Sequence, residues 1–147
     1  MDVVATVEVP VSVEKLFEYV ADLANYPNWL ELVHGVELVG DVTCKDATWL
    51  VELRMRLGVF ARSKRLRMTR TICEPSNLVV FERREQDSRR HAEWVLHATI
   101  SATATGAMLE TNLHYSGSLF TGGVLERALT EQITTGREKL IRQLSAK

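Results

Sequence analysis

The chain has 147 residues, of which 46% are hydrophobic and 25% charged, with a formal net charge of −1. That length buries enough surface to fold without disulfides or a structural metal, and the composition excludes disordered, collagen-like and membrane-spanning classes. No apolar run approaches the ~20 residues that cross a bilayer, and Met1-Asp2 does not open a secretory signal, so a cytoplasmic location is expected.

Cys44 and Cys73 have no CxxC or Cys/His spacing around them, so they read as free thiols, with no metal site and no cofactor expected. The small net charge hides an asymmetry. Residues 54–90 carry 11 of the 18 Lys and Arg against four acids, about +7, which leaves the remainder near −8. Without a repeat or a Pro/Gly-rich linker, residues 1–147 read as a single domain.

Along residues 2–9, Val3, Ala5, Val7 and Val9 alternate with polar positions, which predicts a strand that Pro10 ends. Ser12 then reads as the N-cap of a helix with the stripe Val13, Leu16, Phe17 and Val20, stapled by Val11 against Leu16. Ser12 and Lys15 also match SxxK, but the further motifs of serine acyl-transfer enzymes are missing, so the match is read as a cap. That helix ends near Asp22, and ANYPNWLEL predicts a short helical piece broken by Pro27.

From about residue 36 to 119 the period is two. Ala47, Trp49, Val51, Leu53, Met55 and Leu57 share one face of a half-buried antiparallel strand. In residues 60–73, Phe60, Leu66, Met68, Arg70 and Ile72 take the apolar side, and Pro75-Ser76-Asn77 turns the chain. The strand at 78–86 has two possible phases: a tight turn puts Val79 and Phe81 inward, a loop one residue longer puts Val80 and Glu82 there. A two-residue Thr105-Gly106 turn predicts a last hairpin pairing Trp94 with Gly117, Leu96 with Tyr115, Ala98 with Leu113 and Ile100 with Thr111. It also sets His97 opposite His114 on the outer face. After Gly122-Gly123 a helix of about 24 residues carries one stripe, Leu125, Leu129, Ile133, Gly136, Leu140 and Leu144, with Val124, Ala128 and Gln132 beside it.

The order predicts an α+β fold: a curved antiparallel sheet of about six or seven strands gripping one long C-terminal helix, with two short helices after the first strand. The gap between sheet and helix is a natural ligand pocket.

The segment VEVPVSVEKLFEYVADLANYPNWLELVHGVELV, residues 7–39, resembles the opening of the START-like helix-grip (SRPBCC) superfamily: strand, Pro, amphipathic helix ending in Ala-Asp, then a Tyr-Pro-x-Trp helix. The HAEWVLHA strand and the terminal helix extend that resemblance over essentially the whole chain. The superfamily includes polyketide cyclase/dehydrase, lipid-transport and coenzyme-Q-binding proteins, and the resemblance implies a hydrophobic cavity. It further implies that Arg70 stands where aromatase/cyclases hold a pocket arginine that orients polyketide oxygens.

Arg70, on an apolar phase, needs an oxygen partner if it faces a cavity; a bulge turning it outward or a bridge to Glu82 are the alternatives. Tyr115 is the second inward polar group, able to fix a ligand oxygen or donate a proton, or to serve as core with a satisfied hydroxyl. Arg70 and Tyr115 are thus the candidate catalytic groups. Thr111 shares the face of Tyr115, and Tyr26, Trp29, Trp49, Phe81 and Trp94 read as aromatic wall or core, with Tyr26 and Trp29 near the expected roof. Met55, Met68, Leu125 and Leu129 complete the expected ligand-binding set, and His34 is a candidate for the entrance. His97 and His114 lack a third ligand and read as exposed.

Arg54, Arg56, Arg65 and Arg67 fall on outward phases, either a solvated face balanced by Glu52, Glu85 and Glu93 or a patch for RNA, an anionic membrane or an acidic protein. The expected function is binding of a hydrophobic, partly oxygenated small molecule of lipid, polyketide-like or quinone-like type. The alternatives are a polyketide cyclase/aromatase or dehydratase, and a ribosome- or respiratory-chain-associated interaction module. A monomer or homodimer is expected, with no nucleic-acid partner and no membrane span.

Overall fold

In the computed structural model, which describes residues 2–40, 46–57, 60–116 and 123–145, the first alternation becomes β1 (Asp2–Val9), with Val3, Ala5, Val7 and Val9 buried. Cys44, Gly117 and Gly122 lie outside the described residues, as do the side chains of Arg56, Leu57, Phe60, Val124 and Leu125. Helix α1 (Val13–Val20) starts where Ser12 accepts a hydrogen bond from the Lys15 backbone, and buries Leu16, Phe17 and Val20. A 3₁₀ helix, Leu23–Asn28, follows, capped by Asp22 and containing Pro27.

Strands β2 (Val33–Val39), β3 (Thr48–Leu57), β4 (Phe60–Glu74), β5 (Leu78–Arg83), β6 (Trp94–Ala102) and β7 (Ala107–Tyr115) precede α2 (Val124–Ser145). Among the described residues the seven strands form one antiparallel sheet in the order β1-β7-β6-β5-β4-β3-β2. The expected architecture is present. The concave face buries Trp49, Val51, Leu53 and Met55 from β3, Leu66 and Met68 from β4, and Ala98 and Ile100 from β6. Over it lies α2, whose Leu129, Ile133, Gly136, Leu140 and Leu144 are all buried. Among the described residues no helix is long and apolar enough to cross a membrane.

Three strand details differ from the sequence expectation or decide between its alternatives. The β6–β7 hairpin pairs Trp94 with Tyr115, Leu96 with Leu113, Ala98 with Thr111 and Ile100 with Leu109, two residues out of the expected register. The connection is four residues, Thr103 to Gly106, closed by the Thr103 N–H on the Gly106 carbonyl at 3.0 Å, instead of a two-residue turn. A shift of two keeps every side chain on its expected face, so the burial pattern alone does not expose the error. It does remove the cross-strand histidine pair: His97 faces Asn112, and His114 faces Val95.

In β4 a bulge lies between Arg70 and Ile72. Arg70 stays in phase with Leu66 and Met68, and Ile72, expected on the apolar side, is instead 41% exposed. Thr71 is the extra residue, and its hydroxyl donates to the Glu82 carboxylate. The three-residue turn before β5 selects the phase with Val79 and Phe81 in the core.

Gly136 sets how closely α2 approaches. A Cβ there would lie 2.3 Å from the Trp29 carbonyl oxygen. In an ordinary helix interior, replacing Gly by Ala stabilises by about 1 kcal/mol. Here overpacking reverses the sign, and Gly136→Ala is expected to destabilise the protein by about 1–3 kcal/mol in urea unfolding. A stabilised variant contradicts this contact.

Candidate functional site

Between the sheet and α2 lies a cavity of about 80 Å³, lined by Leu23, Tyr26, Leu30, Leu32, Val33, Val51, Leu53, Leu66, Met68, Trp94, Leu96, Thr111, Leu113, Leu129 and Ile133. Its wall is apolar, and its two hydroxyls are committed elsewhere. Tyr26 donates to the Val20 carbonyl at 2.9 Å and Thr111 to the Ala5 carbonyl at 3.3 Å. Burial, reinforced by nearby Asp22, pushes the Tyr26 phenol well above its ordinary pKa, so it stays protonated and holds that bond.

Of the residues expected around a ligand, Tyr26, Met68, Trp94, Thr111 and Leu129 line this cavity. Trp29, Trp49 and Phe81 form an aromatic cluster beside it, joined through Tyr26: ring centroids lie 5.8 Å apart for Tyr26–Trp29, 6.3 Å for Tyr26–Phe81 and 5.6 Å for Trp49–Phe81. Arg70 lies at the edge of that cluster, its guanidinium 5.6 Å from the Trp49 ring centroid, outside the cavity lining.

One of its nitrogens, Nη1, donates to the Ala21 carbonyl at 2.9 Å. Ala21 is the C-cap of α1, a helix with no basic residue in its last turn. Two more side chains serve the same helix end, Asn25 donating to the Tyr19 carbonyl and Tyr26 to that of Val20, both at 2.9 Å. Three successive carbonyls left over by the helix are therefore met by side chains, and Arg70 places its positive charge at the negative end of the dipole.

Tyr115 is 1% exposed and packs its ring on Trp94, with centroids 4.4 Å apart. It stands outside the cavity lining. Met55 and His34 fall in a separate groove of about 620 Å³ between α2 and the β2–β3 edge, shared with Glu31, Arg54, Ala128, Glu131, Gln132 and Thr135. Arg54 pairs with Glu52 at 3.1 Å, and on the outer face Arg67 donates to the Arg84 carbonyl. His114 lies within 3.2 Å of Asp2 and of Glu93. Among the described residues no three His, Cys, Asp or Glu side chains cluster for a metal.

A second inward arginine went unrecognised in the sequence. Arg83 sits opposite Met68, with its side chain only 7% exposed. Its Nε bonds Glu85 at 2.7 Å, and its other nitrogens reach the Ala92 carbonyl and His91 Nδ1 at 3.3 Å. A guanidinium only donates, so Nδ1 accepts, and the ring proton sits on Nε2, bonded to Asp87 at 2.7 Å. The alternation that placed Phe81 inward also placed Arg83 there, two residues on.

A family model described as polyketide cyclase/dehydrase and lipid transport matches residues 1–145. The chain belongs to that family. No curated protein matches it. Solved structures sharing the family's fold include a Thermus thermophilus protein, 15% identical, covering 99% of this chain and 98% of its own, with a TM-score of 0.75. A START superfamily protein from Mycobacterium smegmatis, also 15% identical, covers 99% and 97% with a TM-score of 0.73. The Zhui aromatase/cyclase of Streptomyces sp. R1128 is 11% identical, covering 98% and 93% with a TM-score of 0.63. At these identities the likeness is one of fold.

Two outcomes follow for this family member. Arg70→Met, which keeps bulk but removes the donor to α1, is expected to lower stability by about 1.5–3 kcal/mol in denaturant unfolding without any ligand. An unchanged midpoint contradicts the capping role. The second concerns pH. Burial pushes Glu85 up, but the Arg83 hydrogen bond and the Arg67 backbone N–H hold its pKa below the ordinary 4.5. The His91 hydrogen bond likewise holds Asp87 below 3.8. Carboxylates depressed in the folded state contribute stability above their unfolded pKa and lose it as pH falls through the folded one. Stability is therefore expected to decline below about pH 4.5, less steeply in Glu85→Gln. Identical acid profiles for the two proteins contradict it.

Proposed function

We propose that the protein binds a hydrophobic, partly oxygenated small molecule, with the apolar part of the ligand between the sheet and α2. The observation that carries this reading is the cavity itself: an apolar recess between the sheet and α2, where protein interiors are otherwise filled to crystal-like density. The family description, which couples cyclases with lipid transport, supports the same class of ligand.

The alternative, cyclisation or dehydration of a polyketide-like chain with Arg70 and Tyr115 as the acting groups, draws on that description and on the aromatase/cyclase named among the relatives of the fold. Binding is preferred because Arg70 is engaged with the end of α1 and neither group lines the cavity.

The test uses N-phenyl-1-naphthylamine, an apolar fluorescent probe. Wild-type protein is expected to enhance its emission saturably. Leu96→Trp, which fills the cavity from a half-buried wall position, is expected to weaken uptake at least about tenfold while the protein still melts cooperatively. No uptake by the wild type overturns the reading.

A further inference from the structure

The cavity of about 80 Å³ holds only part of a ligand of the class proposed above, since pockets for whole molecules of that kind occupy roughly 300–1,000 Å³. The missing volume lies one residue away. In the segment leading into β2 and along β3, Leu32, Val33 and Leu53 face the cavity, while His34 and Arg54 face the 620 Å³ groove. On α2, Leu129 and Ile133 face the cavity while Ala128 and Gln132 face the groove. Among the described residues none lines both spaces, but Leu32 of the cavity and Gln132 of the groove are in contact, so the two spaces meet there. The contact ties the elements together, the Leu32 N–H donating to the Gln132 side-chain oxygen. A register shift between Val33 and Gly35 interrupts β2 at His34, which lines the groove.

We propose that cavity and groove are two halves of one binding site for an elongated amphiphile. Its apolar end enters the cavity, and its polar end stays in the groove. The chemistry of each half sets the ligand. Inside, the Tyr26 and Thr111 hydroxyls are committed to backbone carbonyls, so ligand oxygens gain more outside. Where Leu32 parts from Gln132, the Leu32 N–H needs an acceptor and the Gln132 side-chain oxygen a donor, which calls for a carbonyl beside a hydroxyl at the junction of the ligand. In the groove Arg54 is already paired with Glu52, and Glu31 lies 3.8 Å from Lys139. Glu131 adds another carboxylate. A neutral hydroxylated head fits that balance, whereas an anionic head meets two glutamates. The ligand class is therefore an acyl chain or fused-ring body joined through a carbonyl to a neutral hydroxylated head.

This inference rests on the cavity reading, and the experiment separates the two. Full-length protein is titrated with N-phenyl-1-naphthylamine, which has no polar head, with 1-decanoylglycerol, and with decanoate. Thr135→Trp crowds the groove from an exposed helix position without touching the cavity, and Thr130→Trp is the control outside the groove. Thr135→Trp is expected to weaken 1-decanoylglycerol at least about tenfold and the naphthylamine less than about twofold, with Thr130→Trp changing neither. Decanoate is expected to bind at least about tenfold more weakly than its glycerol ester. If the naphthylamine binds but Thr135→Trp leaves the ester unaffected, the two-part site is overturned and the cavity reading stands. If wild-type protein binds neither neutral probe, both fall. Equal binding of decanoate overturns the neutral head.

Discussion

The concave apolar face of a seven-stranded sheet is stable only when something covers it, and here the cover is held at its closest point by the lack of a side chain. At Gly136 the backbone of α2 comes against the Trp29 carbonyl, at a distance no Cβ tolerates. That contact ties the long helix to the end of the 3₁₀ segment and so to the roof of the core. A turn earlier, Gln132 holds the Leu32 N–H. On the other side Arg137 donates to the Glu8 carbonyl of β1 at 2.9 Å. The helix is therefore fastened along its length to both edges of the core, and the space left beneath it is the cavity.

The roof depends on a second constraint. Helix α1 is only eight residues long, so its unsatisfied carbonyls are a large share of its hydrogen-bonding groups. Asn25, Tyr26 and Arg70 meet them. The consequence for function is direct, because the one arginine that the family resemblance places in a pocket is spent on the architecture of that pocket's roof. Its charge is used where a helix dipole is, in a structure whose cavity wall carries no free hydroxyl from Tyr26 or Thr111.

Much of this was legible in the sequence because it follows from period. The alternations of β1 and β3, the stripe of α2 and the Ser12 cap each report which face is buried, and sequence patterns carry that information locally. The bulge after Arg70 and the four-residue β6–β7 connection were not legible. Each depends on how a strand meets its neighbour, and a two-residue slip leaves the pattern of faces unchanged. Arg70 shows the same limit from another side. Its inward phase was readable, but its partner lies 49 residues earlier at a helix end that the local sequence leaves without a cation. Leu30 and Leu32 were missed as cavity wall because they sit in an irregular segment with no period to read. His34, read as a candidate for the entrance from a loop near the roof, lies in β2 and lines the groove.

The central claim is that the ligand occupies the interior between α2 and the sheet. Its most direct test is intermolecular nuclear Overhauser contacts in methyl-labelled protein saturated with 1-decanoylglycerol. The account predicts contacts from the end of the acyl chain to Ile133 on α2 and, in the same complex, to Leu66 and Met68 on β4. Contacts confined to methyls of the outer sheet face, with Ile133 and Met68 unperturbed, would contradict it.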